Sequence, residues 1–178
     1  MFRMDLKSFI IDVPNFPSQG VVFRDITPIL SNPEAFEFAL SGIAGPFVGK
    51  GIDVVAAIES RGFILGAPLA SRLGVGFVPI RKKGKLPRSV ISEPLVKEYG
   101  DDVIEIHQDA IAPGSRVLIV DDVLATGGTL ESAVKMLKKA GAEIAGIALL
   151  INLSYLPGKD KLLKVLPATI PIHYILEY

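Results

Sequence analysis

Residues Val117 to Thr129 read Val-Leu-Ile-Val-Asp-Asp-Val-Leu-Ala-Thr-Gly-Gly-Thr, an apolar run ending in two carboxylates and followed by a loop of small residues. Gly127 and Gly128 lack Cβ and let backbone N–H groups come close to an anion. Thr126 and Thr129 add hydroxyl donors beside the positive end of a following helix. Ala125 to Thr129 is therefore a candidate phosphate cradle. Asp121 and Asp122 would repel a phosphate they faced, so hydroxyls, a cation or developing positive charge are their fitting partners. A sugar phosphate satisfies both halves. No Gly-Lys-Ser/Thr occurs in the chain, so this is not a nucleotide-triphosphatase loop, nor is it a dinucleotide fingerprint. An isolated Asp-Asp would read as a strand end and an isolated Gly-Gly as an ordinary loop; the whole string carries more than either.

Two other groups could meet an anion. Ser60 and Arg61 follow an apolar run, and Arg81, Lys82, Lys83, Lys85 and Arg88 place five cations within eight residues. By composition alone those cations read as a solvated loop or a small nucleic-acid patch. His107 and His173 are too far apart in sequence to suggest a zinc pair and read as structural or surface residues.

These groups need a scaffold. Val54 to Ile58 is an apolar strand, Ser60 to Gly62 a turn, Phe63 to Leu73 a helix and Gly76 to Ile80 a second strand. The order repeats with a strand at Val117 to Val120, then a helix carried by Leu130, Ala133, Val134, Leu137 and Ala140. Gly141 stands at its left-handed cap and a strand follows at Ile144 to Ile151. Strands buried on both faces with helices between them imply parallel pairing and right-handed crossovers. The fold class is α/β, an open, mostly parallel twisted sheet flanked by helices, and ligands of such sheets bind at the carboxyl ends of the strands. The stretch Arg81 to Pro113, with Gly84, Pro87, Pro94 and Gly100, reads as a flexible lid hairpin closed by a strand at Val103 to Ile106. The first fifty residues and the tail after Pro157 read as flanking segments.

The 178 residues suit one domain, and nineteen basic side chains cancel nineteen acidic ones, so no global field favours nucleic acid or an anionic membrane. The absence of cysteine excludes disulfides and thiol chemistry and fits a reducing cytoplasm. Mean hydropathy is +0.45, yet the longest uncharged stretch, Ile144 to Gly158, contains Asn152, Ser154, Pro157 and Gly158. No segment reads as a membrane span. Asp5, Lys7 and Asp12 interrupt the apolar core a secretory signal needs.

The Val117 to Thr129 run resembles the signature of the type I phosphoribosyltransferases, in the Ala-Thr-Gly-Gly-Thr form of the adenine phosphoribosyltransferases. The likeness extends along nearly the whole chain. Phe16-Pro17 and Gly20 to Pro28 resemble the family's N-terminal adenine-binding segment; Glu59-Ser60-Arg61-Gly62-Phe63 resembles its diphosphate loop. Arg81 to Pro87 and Glu98-Tyr99-Gly100 resemble its flexible loop.

The resemblance implies transfer of the phosphoribosyl group of 5-phosphoribosyl 1-diphosphate to adenine, giving AMP and diphosphate. It implies one phosphoribosyltransferase domain over residues 1–178, with a small N-terminal hood at 1–35 and the flexible hairpin at 81–110. By the same likeness Ala125, Thr126, Gly127, Gly128 and Thr129 hold the 5-phosphate, and Asp121 and Asp122 meet the ribose hydroxyls and its developing charge. Ser60, Arg61, Arg81, Lys82 and Lys85 meet diphosphate; Val22, Phe23 and Arg24 meet adenine. Glu98 accepts the adenine proton, and Tyr99 lies with it in the lid, where Lys97 stands at a position the family often fills with an apolar residue. The Glu59-Ser60 peptide is often cis in this family. Magnesium is implied, bound through substrate oxygens rather than a cage of side chains, as are a homodimer and a cytoplasmic setting. Two rival readings remain: a phosphoribosyltransferase for another purine, and a ligand sensor that keeps the fold without the transfer.

Overall fold

The computed structural model describes residues 4–95 and 102–178. The chain forms two compact units, Met1–Gly42 and Ile43–Tyr178.

In the first unit a 3-10 turn at Leu6–Phe9 precedes β1 (Ile11–Pro14) and β2 (Val22–Asp25), which pair antiparallel from Ile11 opposite Asp25 to Pro14 opposite Val22. The Phe16-Pro17 peptide between them is cis, and the Phe16 and Phe23 rings meet edge to face with centroids 5.2 Å apart. Read alone, the Phe-Arg-Asp string looks like a turn. It ends a strand instead, and the Asp25 carboxylate accepts the Thr27 N–H at 2.9 Å and the Thr27 hydroxyl at 2.8 Å. Helix α1 (Thr27–Ser31) starts there, with Pro28 in its first turn. Asn32 precedes α2 (Pro33–Ala44), its side chain accepting the Ala35 N–H at 2.9 Å.

The second unit is built on a seven-stranded sheet: β3 (Val54–Ile58), β4 (Gly76–Lys82), β5 (Val90–Pro94), β6 (Val103–His107), β7 (Arg116–Leu124), β8 (Glu143–Asn152) and β9 (Ile172–Glu177). Their order is β5-β6-β4-β3-β7-β8-β9, with β4, β3, β7, β8 and β9 parallel and the β5-β6 hairpin antiparallel at one edge. Helices α3 (Arg61–Leu73), α4 (Gly128–Lys139) and α5 (Gly158–Val165) connect the parallel strands. All five residues of β3 are buried, as a strand covered on both faces requires. On one face Leu65 and Leu69 of α3 are fully buried, and a Cβ at Gly66 would overlap that of Ala57. On the other, Ala56, Val78 and Ile119 share a core with Leu130, Val134 and Leu137 of α4 and Leu162 of α5.

Three boundaries differ by more than one residue from the sequence reading. Helix α3 starts at Arg61 rather than Phe63, so Arg61 and Gly62 belong to its first turn. Strand β4 runs on to Lys82. Strand β7 continues past Val120 through both carboxylates to Leu124, because its ladder to β8 persists at Asp121 opposite Leu149, Val123 opposite Ile151 and Leu124 opposite Asn152. The tail contributes more than flanking cover, since β9 is an edge strand paired with β8 from Ile172 to Glu177. Among the described residues no helix is long and apolar enough to cross a membrane.

Candidate active site

In the sheet β3 lies between β4 and β7, and the chain leaves β3 and β7 in opposite directions, to β4 and to β8. This is the switch point where an open α/β sheet leaves a crevice beyond its strand ends. Because β4, β3 and β7 are parallel, their carboxyl ends share one edge. The structure thereby brings Arg81, Lys82 and Lys85, Ser60 and Arg61, and Asp121 to Thr129 to that edge. Val22, Phe23 and Arg24 lie on β2 of the first unit, where Arg24 forms an ion pair with Asp12. Lys97, Glu98 and Tyr99 lie outside the described residues.

The loop after β7 curves around a cavity of about 80 Å³ lined by Asp121 and Val123 to Leu130. Gly127 sits at φ +81°, a left-handed conformation open chiefly to glycine, and caps α4 without a side-chain bond. Glu131 is the first residue of the helix whose N–H finds a carbonyl, that of Gly127 at 2.9 Å. The amides of Gly128, Thr129 and Leu130 are thus the unbonded N–H groups of a helix start, which suit an anion.

The two acids occupy different surroundings. Asp121 lines the cavity and its Oδ1 accepts the Asp122 N–H at 2.9 Å. Asp122 is only 4% exposed, and its Oδ2 lies 2.8 Å from Arg61 Nε, the first residue of α3. Burial lifts the Asp121 carboxyl well above the ordinary carboxylate range, and the Asp122 charge adds to it. Burial also raises Asp122, while Arg61 works against the rise. A buried and a half-buried carboxyl group with a single guanidinium beside them favour any positive charge that develops next to them.

A carboxyl whose pKa is higher in the folded than in the unfolded protein lowers stability as pH climbs from the unfolded to the folded value. Asp121→Asn keeps an acceptor for the Asp122 N–H and removes that burden. Thermal melts at neutral pH should place this variant roughly 3 °C above the parent. The gap should close as pH falls below the ordinary carboxylate value, and an equal or lower Tm at neutral pH would refute the assignment.

At the ends of β3 and β4, the Glu59-Ser60 peptide is cis. The Glu59 carboxylate accepts the Lys82 N–H at 3.0 Å and Arg81 Nε at 3.2 Å, and Arg81 Nη1 donates to the Lys85 carbonyl at 3.2 Å. Burial pushes Glu59 up, but the Lys82 N–H bond and the Arg81 and Lys85 cations outweigh it and hold the carboxyl below its usual range. Arg88 pairs with Asp109 across the exposed base of the hairpin. His107 and His173 stand on β6 and β9, five strand spacings apart or roughly 24 Å, and the His173 ring meets Phe47 edge to face.

Two glycines escaped the sequence reading. A Cβ on Gly62 would stand 3.0 Å from Asp121 Oδ1 and 3.1 Å from the Val120 carbonyl. A Cβ on Gly127 would stand 2.8 Å from both Cα and O of Gly158, and one on Gly158 would overlap the Ala125 carbonyl oxygen. The Pro157-Gly158 step, which reads only as a breaker, was the available signal.

Residues 29–167 match the family of the phosphoribosyl transferase domain, and the chain is a member of that family. The adenine phosphoribosyltransferase of Thermobifida fusca is 52% identical over 90% of this chain and 91% of its own length. That of Thermotoga maritima is 52% identical over 91% and 94%. The crystal structure of the Rhodothermus marinus adenine phosphoribosyltransferase superposes with a TM-score of 0.90 at 50% identity, over 97% of this chain and 96% of that one. The Saccharomyces cerevisiae enzyme, complexed with D-2,5-dideoxy-2,5-imino-altritol 1,6-bisphosphate and adenine, does so at 0.86 and 38% identity over 95% of each chain. The chain belongs to the adenine phosphoribosyltransferases.

Proposed function

We propose that the chain transfers the phosphoribosyl group of 5-phosphoribosyl 1-diphosphate to adenine, forming AMP and diphosphate in purine salvage. The bond from the ribose C1 to diphosphate breaks, a bond from C1 to an adenine ring nitrogen forms, and that nitrogen loses its proton. The observation that carries the reading is one sheet edge where open helix amides, paired carboxylates and cations stand side by side. Those three groups match the monoester, the electron-poor ribose and the departing diphosphate in turn.

Ala125 to Thr129 hold the 5-phosphate through amides and hydroxyls. Asp121 and Asp122 stabilise the oxocarbenium-like ribose, whose charge relieves their own repulsion. Ser60 and Arg61 at the start of α3, with Lys82 at the end of β4 and Lys85 on the turn that Arg81 underpins, meet the diphosphate. Backbone groups at Val22 and Arg24 pair with adenine, one donor and one acceptor matching its exocyclic amine and adjacent ring nitrogen, and Phe23 covers the base. Glu98 is the proton acceptor and Tyr99 its neighbour in the lid, roles that rest on family resemblance alone.

Magnesium fits this donor set. The described residues hold no group of three carboxylate or imidazole ligands, and the Asp121-Asp122 pair offers hard oxygens to an ion held mainly by substrate and water. When bound, the ion screens the charge of the diphosphate. A homodimer, a cytoplasmic setting and a single domain with an adenine hood at 1–35 and a flexible hairpin at 81–110 belong to the same proposal.

The test is a product assay. Purified protein with magnesium, adenine and 5-phosphoribosyl 1-diphosphate should yield AMP and diphosphate, and adenine should be preferred over hypoxanthine, guanine and xanthine. Preference for an oxopurine would overturn the base assignment; tight donor binding without transfer would favour a sensor.

A further inference from the structure

The cationic turn after β4 is gripped from two sides by carboxylates that have no place in the chemistry above. Glu59, 17% exposed at its side chain, ends the β3 side: it accepts the Lys82 N–H and Arg81 Nε, while its own N–H donates to the Ile80 carbonyl at 2.9 Å. Glu105, 5% exposed on β6, accepts the Gly84 N–H at 2.9 Å through Oε2 and the Ser92 hydroxyl at 3.3 Å through Oε1. Gly84 is at φ +77°, and the Lys85 N–H closes the turn on the Lys82 carbonyl at 3.2 Å.

The backbone pairing of the hairpin uses neither acid, although Glu105 adds one side-chain bond within it, from the Ser92 hydroxyl. The ladders from β4 to β6 and from β5 to β6 are backbone bonds, and a partly buried carboxylate carries a desolvation penalty that an apolar residue would not. Both acids instead bind main-chain N–H groups inside the turn, where four cations from Arg81 to Lys85 repel one another. We propose that Glu59 and Glu105 are positioning residues for the donor's diphosphate, which hold the Arg81 to Lys85 turn as a preformed anion receptor. Glu59 does a second job. It immediately precedes Ser60 and Arg61, so one side chain sets the distance between the two cationic segments. Arg81 is the bridge in this arrangement, with Nε on Glu59 and Nη1 on the Lys85 carbonyl, and Lys82 and Lys85 present the charge.

The inference rests on the reading that this turn binds diphosphate, and the experiment separates the two. In the full chain, Glu59→Gln and Glu105→Gln should each raise KM for 5-phosphoribosyl 1-diphosphate about tenfold, the worth of one charge-assisted hydrogen bond. KM for adenine and kcat should stay within about twofold. Glu105→Asp, which keeps the charge but shortens the reach, should shift KM in the same direction by less, and serves if the Gln variants fold poorly. Lys85→Ala should raise donor KM in the parent and do so less in the Glu105→Gln background, a non-additivity that a purely structural acid would not produce. Unchanged donor KM in both Gln variants, or full additivity with Lys85→Ala, overturns the positioning role. No effect of Lys82→Ala and Lys85→Ala in the parent overturns the diphosphate assignment itself.

Discussion

Asp122→Asn should lower kcat about a hundredfold while KM for 5-phosphoribosyl 1-diphosphate moves only a few-fold, as expected when a preorganised charge acts mainly in the transition state. The amide is the same size as the carboxylate and can still offer an oxygen to Arg61 Nε, now 2.8 Å from Oδ2. The fold is therefore retained, and what disappears is negative charge. In the ligand-free site that charge is unfavourable, since Asp122 is almost fully buried and its pKa is raised by burial even though Arg61 and nearby hydrogen bonds oppose the rise. The penalty is reversed when the ribose turns electron-poor, so the energy of the charge is realised late in the reaction. Steady-state rates with both substrates saturating, together with a thermal melt, make the comparison. A kcat equal to that of the parent would show that Asp122 serves only to hold Arg61.

Gly127→Ala should reduce kcat/KM for the donor by about a hundredfold or more, the scale of loss expected when a binding group is displaced by about 1 Å. Two effects combine. A left-handed φ of +81° costs an L-residue roughly 1–2 kcal/mol, and the new Cβ meets the Gly158 backbone at 2.8 Å, which cannot rotate away as a side chain could. The bend must move, and its amides move with it. Gly114→Ala separates the two contributions, because Gly114 has the same φ of +81° with nothing within 4 Å of its missing Cβ. That variant should melt at a lower temperature and keep its kcat/KM. Equal losses in both variants would mean that strain alone, and not the shape of the bend, is responsible.

The sheet, its two crossover helices and the glycine loop after β7 were legible because each rests on local pattern. Val54 to Ile58 and Val117 to Val120 are unbroken apolar runs, and Leu130, Ala133, Val134 and Leu137 repeat at helical spacing. The misread boundaries share a cause. Asp121 and Asp122 look like strand terminators, but Arg61 and the β8 ladder let the strand carry them. Ile172 to Glu177 has most of its residues only partly buried as an edge strand, so its pattern is too weak to separate from a flanking segment. Gly62, Gly158, Glu59 and Glu105 act through contacts with residues 21 to 59 positions away, or across loops that meet only when the sheet is assembled. Nothing in their neighbours in sequence announces such a meeting. Glu98 and Tyr99 rest on likeness of motif.

The approach of Gly127 to Gly158 has a further meaning for how the protein can drift. Backbone stands against backbone there, with no side chain on either residue to trim, so a harmful change at one position has no suppressor at the other. The head of α5 and the bend after β7 are obliged to vary as a single rigid inheritance, and the closing eighth of the chain is tied to the shape of a loop that it follows by about thirty residues.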